Sequence, residues 1–263
     1  MDKIAFKILE LLSQNCRIST VEIAKRLRQP RHRISYYREQ LHKKRVIINH
    51  ELLLNFEPLG YTEYLIYLML FQYSKIKKEI CADIISHAHV RWFVEVFPHF
   101  HLRIAFIAKH AQEVEQFIHE LEQKYGSHIL KKEILVTRGF LKKESYTTKV
   151  NEDIKEQRYE LLKLSARDKK IISLLDKDPT LPLVEMAQQT NYSIETVRQK
   201  IKRFQDSGFI ELLSTKCDMS KVGLHFWCVV LLKLKNQKKH NSTLKTLFYS
   251  DIRFGRTRRT FGA

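Results

Sequence analysis

The sequence predicts an α+β chain: two copies of one small helical module, the first followed by a sheet-forming module and the second by part of another. Three observations carry this. Sliding the chain against itself by 163 positions brings two stretches into register, the apolar period changes from helical to alternating between them, and the positive charge lies toward the two ends of the chain, leaving the middle neutral. In the repeat, Lys7, Ile8, Leu11, Leu12, Val21, Glu22, Ala24 and Ile47 fall on Lys170, Ile171, Leu174, Leu175, Val184, Glu185, Ala187 and Ile210. Ile34 falls on Val197, Leu41 on Phe204, and Leu59-Gly60 on Val222-Gly223. What survives between the copies is mostly apolar spacing, the signature of a shared core.

The first copy reads as three short helices. Ile4, Ile8, Leu11 and Leu12 form one apolar stripe, Val21, Ile23, Ala24 and Leu27 a second, and Ile34 with Leu41 a third. Ser19 suits an N-cap, with Glu22 as its capping-box partner; Pro182 takes the equivalent place in the second copy. After each third helix a β-prone piece, "RVIIN" or "GFIELL", suits a small wing hairpin. A short helix, a tight turn and a helix with outward polar and basic side chains make a helix-turn-helix, whose second helix enters the major groove of DNA.

The stretch "PRHRISYYREQLHKKRVI" holds six Lys or Arg, two His and one acid. With Ile34 and Leu41 inward, its outward set is Arg31, His32, Arg33, Ser35 and Tyr36, with Lys43 near the end. In "SIETVRQKIKRFQDSGFI" the buried line is Val197, Ile201 and Phe204, leaving Glu195, Thr196, Arg198, Gln199, Lys202 and Arg203 outward. Arg and Gln make paired hydrogen bonds to guanine and adenine edges, whereas Lys and Ser more often hold phosphates. The competing reading is a solvated helix back, which the duplication and the charge layout disfavour.

In the middle the period changes. "YTEYLIYLMLFQY", "VRWFVEVF", "FHLRIAFIA" and "SHILKKEILVTRGFL" read as strands. Helical stripes at Ile76, Ile80 and Ile84, then at Val114, Phe117, Ile118, Leu121 and Tyr125, separate them. The order β-α-β-β-α-β gives a four-stranded antiparallel sheet with both helices on one face, the ferredoxin-like arrangement. Its other face calls for cover, so a homo-oligomer formed through the sheet of 58–140 is expected.

Charge divides the chain the same way. Of 47 Lys and Arg against 29 Asp and Glu, net +18, residues 1–50 carry 12 basic and 4 acidic side chains, 51–150 carry 13 and 12, and 151–263 carry 22 and 13. Basic modules flanking a neutral one favour a polyanionic partner, here double-stranded DNA. The expected domains are a winged helix-turn-helix at 1–57, a ferredoxin-like module at 58–140, a charged linker at 141–163, a second winged helix-turn-helix at 164–220, and an incomplete second ferredoxin-like module at 221–263. The longest apolar run, Tyr64 to Phe71, is far shorter than the roughly 20 residues that cross a bilayer, so no membrane partner is expected and the cytoplasm, with the nucleoid when bound, is the expected setting. Cys16, Cys81, Cys217 and Cys228 stand apart, without zinc or disulfide spacing.

Together, "LLSQNCRISTVEIAKRL", the Leu-Gly step, the β-α-β-β-α-β module and the second opening "LSARDKKIISLLDKDPTLPLVEMAQQTNYSIETVRQKIKRFQDSGFI" resemble the Lrp/AsnC family of transcription regulators over nearly the whole chain. The resemblance implies a sequence-specific regulator that dimerises through its β-α module and often senses an amino acid between subunits. The chain departs from the pattern at Arg38, where the family has an apolar residue, so that Tyr37 is expected to swing inward in its place. It departs again at "FPHFHLR", where Pro98 and His101 stand near the family's Gly and Asp. His99 and His101 are therefore the candidates for an effector contact. His87, His89, His99 and His101 form two His-x-His pairs, but no carboxylate or thiolate at ligand spacing accompanies them, so no metal is expected. No set of nucleophile, base and orienting acid stands out, and neither a catalytic residue nor a cofactor is assigned. Siroheme decarboxylases share this architecture, but their signature stretches are absent; an architectural protein that coats DNA without reading it is the other alternative.

Overall fold

The structure is a computed structural model that describes residues 2–142, 161–223 and 257–262. Two compact units divide between Asn55 and Phe56: one holds both helical modules, the other the central sheet.

In the first unit, α1 (Lys3–Gln14), α2 (Thr20–Leu27) and α3 (Arg31–Lys43) form one head, and α6 (Ala166–Lys177), α7 (Leu183–Thr190) and α8 (Ile194–Asp206) the other. Ile8, Leu12, Ile23, Ile34 and Leu41 close the core of the first head, and Ile171, Leu175, Met186, Val197, Ile201 and Phe204 that of the second. Each such aliphatic side chain withdrawn from water contributes about 1.5–3 kcal/mol, which holds these short helices at lengths that are marginal in isolation. The helix-turn-helix corner repeats as well. Arg28 and Asn191, 163 positions apart, both stand in the left-handed region at φ 51° and 54° and end α2 and α7.

Three sequence expectations need correction here. Val21 lies outside the core, 57% exposed, as its counterpart Val184 is at 50%, because both sit on the outer side of their helix. Ser19 does cap α2, accepting from the Glu22 backbone at 3.1 Å, but the Glu22 carboxylate turns to Arg26 Nε at 2.7 Å instead of closing a capping box. The closed box belongs to Ser165 and Asp168 at the start of α6.

The third correction concerns the wings. Among the described residues the strand after each recognition helix, β1 (Ile47–Leu54) and β6 (Ile210–Cys217), forms no hairpin of its own; the two strands pair antiparallel with each other. Their register obeys the repeat. Glu51 faces Ser214, its own counterpart 163 residues on; His50 faces Thr215 as Leu52 faces Leu213, and the bulges between Ile47 and Asn49 and between Leu53 and Leu54 are likewise counterparts. The two strands are thus related by a local two-fold axis passing between Glu51 and Ser214.

The second unit runs β2 (Thr62–Leu70), α4 (Tyr73–Ser86), β3 (Val90–Glu95), β4 (Leu102–Ala108), α5 (Ala111–Tyr125) and β5 (Ile129–Lys142). The strands order as β3-β4-β2-β5, each pair antiparallel, and β7 (Thr257–Gly262) extends the sheet beside β5. The α+β architecture is therefore as expected, with a fifth strand. Ile66, Leu68, Ile104 and Phe106 meet Ile80, Ile84, Phe117 and Leu121 from the two helices. On the opposite face Leu65, Tyr67 and Ala105 are also buried, with Trp92, Phe100 and Leu135 beside them. Most of the expected linker at 141–163 and of the expected second module at 221–263 lies outside the described residues.

Candidate nucleic-acid interface

Both recognition helices turn their buried line inward and their polar residues out, as the spacing requires. On α3, Arg31, His32, Arg33, Ser35, Tyr36 and Lys43 are all exposed. On α8, Glu195, Arg198, Gln199, Lys202 and Arg203 are exposed, and Thr196 is half-buried beside the cap, its hydroxyl 2.8 Å from Ser193 Oγ. The first set joins one surface and the second set another, each on a single helix of its own head.

In the free protein several of these groups have intramolecular partners. Arg33 donates to Gln29 Oε1 at 2.9 Å and lies over the Tyr37 ring. Lys43 pairs with Glu39 at 2.7 Å, and that contact, a hydrogen bond before a charge effect, lifts the Lys43 ammonium above its ordinary pKa. Arg198 donates to Glu195, whose other oxygen accepts from Gln199 at 3.3 Å. All are one-turn pairs screened by solvent, and they yield readily to a stronger acceptor.

The two heads brace their recognition helices differently at matched positions. In the first, Tyr37 donates to Asp2, the α1 N-cap, at 2.7 Å. In the second, Lys200, the counterpart of Tyr37, reaches Asp168 at 2.9 Å, and Asp168 is 3% exposed. Burial alone would raise the Asp168 pKa, but the Lys200 and Ser165 hydrogen bonds outweigh it and hold the carboxyl below its ordinary value. Tyr37 packs against the core as expected; Arg38 is half-buried and donates to Thr20 Oγ1 at 3.0 Å, which ties α3 to the start of α2.

Contacts missed in the sequence join the heads. Arg17 donates to the carbonyls of Pro179 and Leu181 at 2.8 and 2.9 Å, Ser214 Oγ donates to Ser13 O at 2.8 Å, and the Cys16 amide donates to Leu213 O at 2.7 Å. Cys16 is buried, and that burial pushes its thiol up to about 11, which makes it a packing residue.

The proposed effector histidines fall on one hairpin in unlike settings. His99 is exposed; His101 Nδ1 accepts the Leu70 amide at 3.0 Å, and its ring lies against Tyr73. A hollow of about 250 Å³ opens instead at His87, His89, Glu113, Gln116 and Phe117, slightly below the roughly 300–1,000 Å³ of small-molecule sites. His87 is held below its ordinary pKa, by burial first and by His89 second. Among the described residues no cluster of three ligating side chains surrounds these rings, and no helix is long and apolar enough to cross a membrane.

The winged helix-turn-helix DNA-binding family matches the chain twice, over residues 1–48 and 164–211. The HTH-type transcriptional regulator FL11 of Pyrococcus furiosus is 32% identical over 85 residues, 32% of this chain and 56% of that protein. The regulatory protein AsnC of Haemophilus influenzae is 29% identical over 84 residues, with the same two shares. The chain thus spans little more than half the length of these curated relatives. Among solved structures, the siroheme decarboxylase NirDL superposes with a TM-score of 0.56 at 16% identity, over 81% of this chain and 65% of that one, a likeness of fold. Both matches fall at the places of the internal repeat, so the chain carries two winged helix-turn-helix DNA-binding modules and is similar in sequence to HTH-type transcriptional regulators such as AsnC.

Proposed function

We propose that the chain is a sequence-specific, double-stranded DNA-binding transcription regulator. The observation that carries the reading is the exposure of both outward sets: Arg31, His32, Arg33, Ser35, Tyr36 and Lys43 on α3, and Glu195, Thr196, Arg198, Gln199, Lys202 and Arg203 on α8, Thr196 alone being half-buried. Each recognition helix enters a major groove. Arg33, Arg198 and Gln199 read base edges, while Lys43 and Lys202 hold phosphates. Curated relatives bear the names of transcription regulators, which supports the same reading. In this proposal the sheet of 58–140 pairs subunits, and any small effector is sensed on that module, with His99 and His101 at its hairpin.

Selection from a random pool of duplexes at physiological salt tests the reading. Enrichment of one motif is expected. Uniform recovery would point to a protein that coats DNA, and no recovery to a non-binder. The fold likeness to a siroheme decarboxylase supplies the competing enzyme reading, in which the purified chain would carry the visible absorption of a tetrapyrrole.

A further inference from the structure

We propose that one chain reads a directional DNA element, made of two unlike half-sites inverted about a centre, with one head assigned to each half. The inference rests on the DNA-reading role proposed above and adds the form of the target.

Its first support is the local two-fold. The β1–β6 register pairs counterpart with counterpart, bulges included, and each strand follows directly on its recognition helix. The inference carries this two-fold from the strands to the helices that lead straight into them. Arg17, Ser214 and the Cys16 amide fasten the heads further. Two reading helices related by a two-fold meet a duplex as two inverted half-sites, the rule for helix-turn-helix dimers. Here a single chain supplies both.

The second support is chemical. The symmetry holds for the backbone and fails for the reading faces. Counterparts of the outward set of α3 run Arg31 to Ile194, His32 to Glu195, Arg33 to Thr196, Ser35 to Arg198 and Tyr36 to Gln199. The α3 face offers donors, with no acid among its outward set, and suits guanine O6 and N7 together with phosphate. The α8 face mixes an acceptor with donors: Glu195 suits the cytosine amino group, Gln199 adenine and Arg198 guanine. Even the pins are unequal. The Cys16 amide bonds across the axis, whereas its counterpart is Pro179, which has no amide hydrogen to give. A palindrome would present one of these faces with the wrong half.

The test uses the full chain. Selection yields an element, from which two symmetrised duplexes are built by doubling either half. The inference expects a non-palindromic consensus and symmetrised duplexes bound about tenfold or more weakly than the selected one. Arg33→Ala should relax base preference in one half only and Gln199→Ala in the other; both residues are exposed, so folding is preserved. A palindromic consensus, or a symmetrised duplex bound as tightly as the selected element, would overturn the inference and leave DNA reading standing. No enrichment of any sequence would overturn both.

Discussion

Arg45 holds a left-handed backbone at φ 52°, where its counterpart in the second head is Gly208 at φ 72°. A side chain there costs roughly 1 kcal/mol, part of which glycine returns as chain entropy. Arg45→Gly should therefore stabilise the first head by about 0.5 kcal/mol, read as a higher denaturant midpoint. Asp168 makes the opposite case. Its carboxyl is buried and paired with Lys200, so Asp168→Asn should cost the second head about 2 kcal/mol, below the 3–5 for a fully buried pair because Lys200 is 25% exposed. Since the folded state holds Asp168 below its ordinary pKa, its contribution is present above the unfolded value near 4 and is lost as pH falls through the lower folded value. Lys200→Met should remove much of that acid sensitivity in a melt series from pH 5 to 2. At single positions the sequence was legible where a core demanded an apolar residue, as at Ile34, Leu41, Val197 and Phe204. It was not legible where two partners competed for one side chain. Glu22 had both the Ser19 amide and Arg26 within a helical turn, and the arginine won.

The recognition helices were foreseeable because amphipathic spacing is local: three residues per face decide which side turns inward. Base reading and phosphate holding separate cleanly on them. Arg198→Ala should weaken binding to the selected element by about tenfold or more and relax base preference, whereas Lys43→Ala should weaken all duplexes alike by a few-fold. Competition titrations with selected and scrambled duplexes distinguish the two. The strands after these helices were foreseeable as strands, but not in their pairing. "RVIIN" and "GFIELL" carry β propensity, and nothing local says that the partner of each lies some 163 residues away instead of across a turn. Only the self-similarity of the chain hinted that the copies would meet. The candidate effector histidines were read from a family pattern at a hairpin, and the geometry there shows His101 bonded to the Leu70 amide and facing Tyr73, positions that spacing does not reveal.

At the scale of the full chain, the proposed function makes the two heads one DNA-reading body. Arg17 lies at their junction, half-buried, and that burial holds its guanidinium below its ordinary pKa, while it donates to two carbonyls of the other head. Arg17→Ala should cost about 2–3 kcal/mol, since two carbonyls lose a charged donor. It should also split a single calorimetric transition of the heads into two, and an unchanged single transition would show that the β1–β6 ribbon alone couples them. Charge makes the remaining demand. With a net charge of +18, binding to a duplex must release counterions in proportion to the phosphates neutralised. The deciding measurement is a fluorescence-anisotropy titration of the selected duplex and a scrambled one from about 50 to 200 mM salt. Affinity for the selected duplex should fall by about a thousandfold or more over that range, with at least about a thousandfold preference for it over the scrambled one. A flat salt response, or equal affinity for both duplexes, would contradict it.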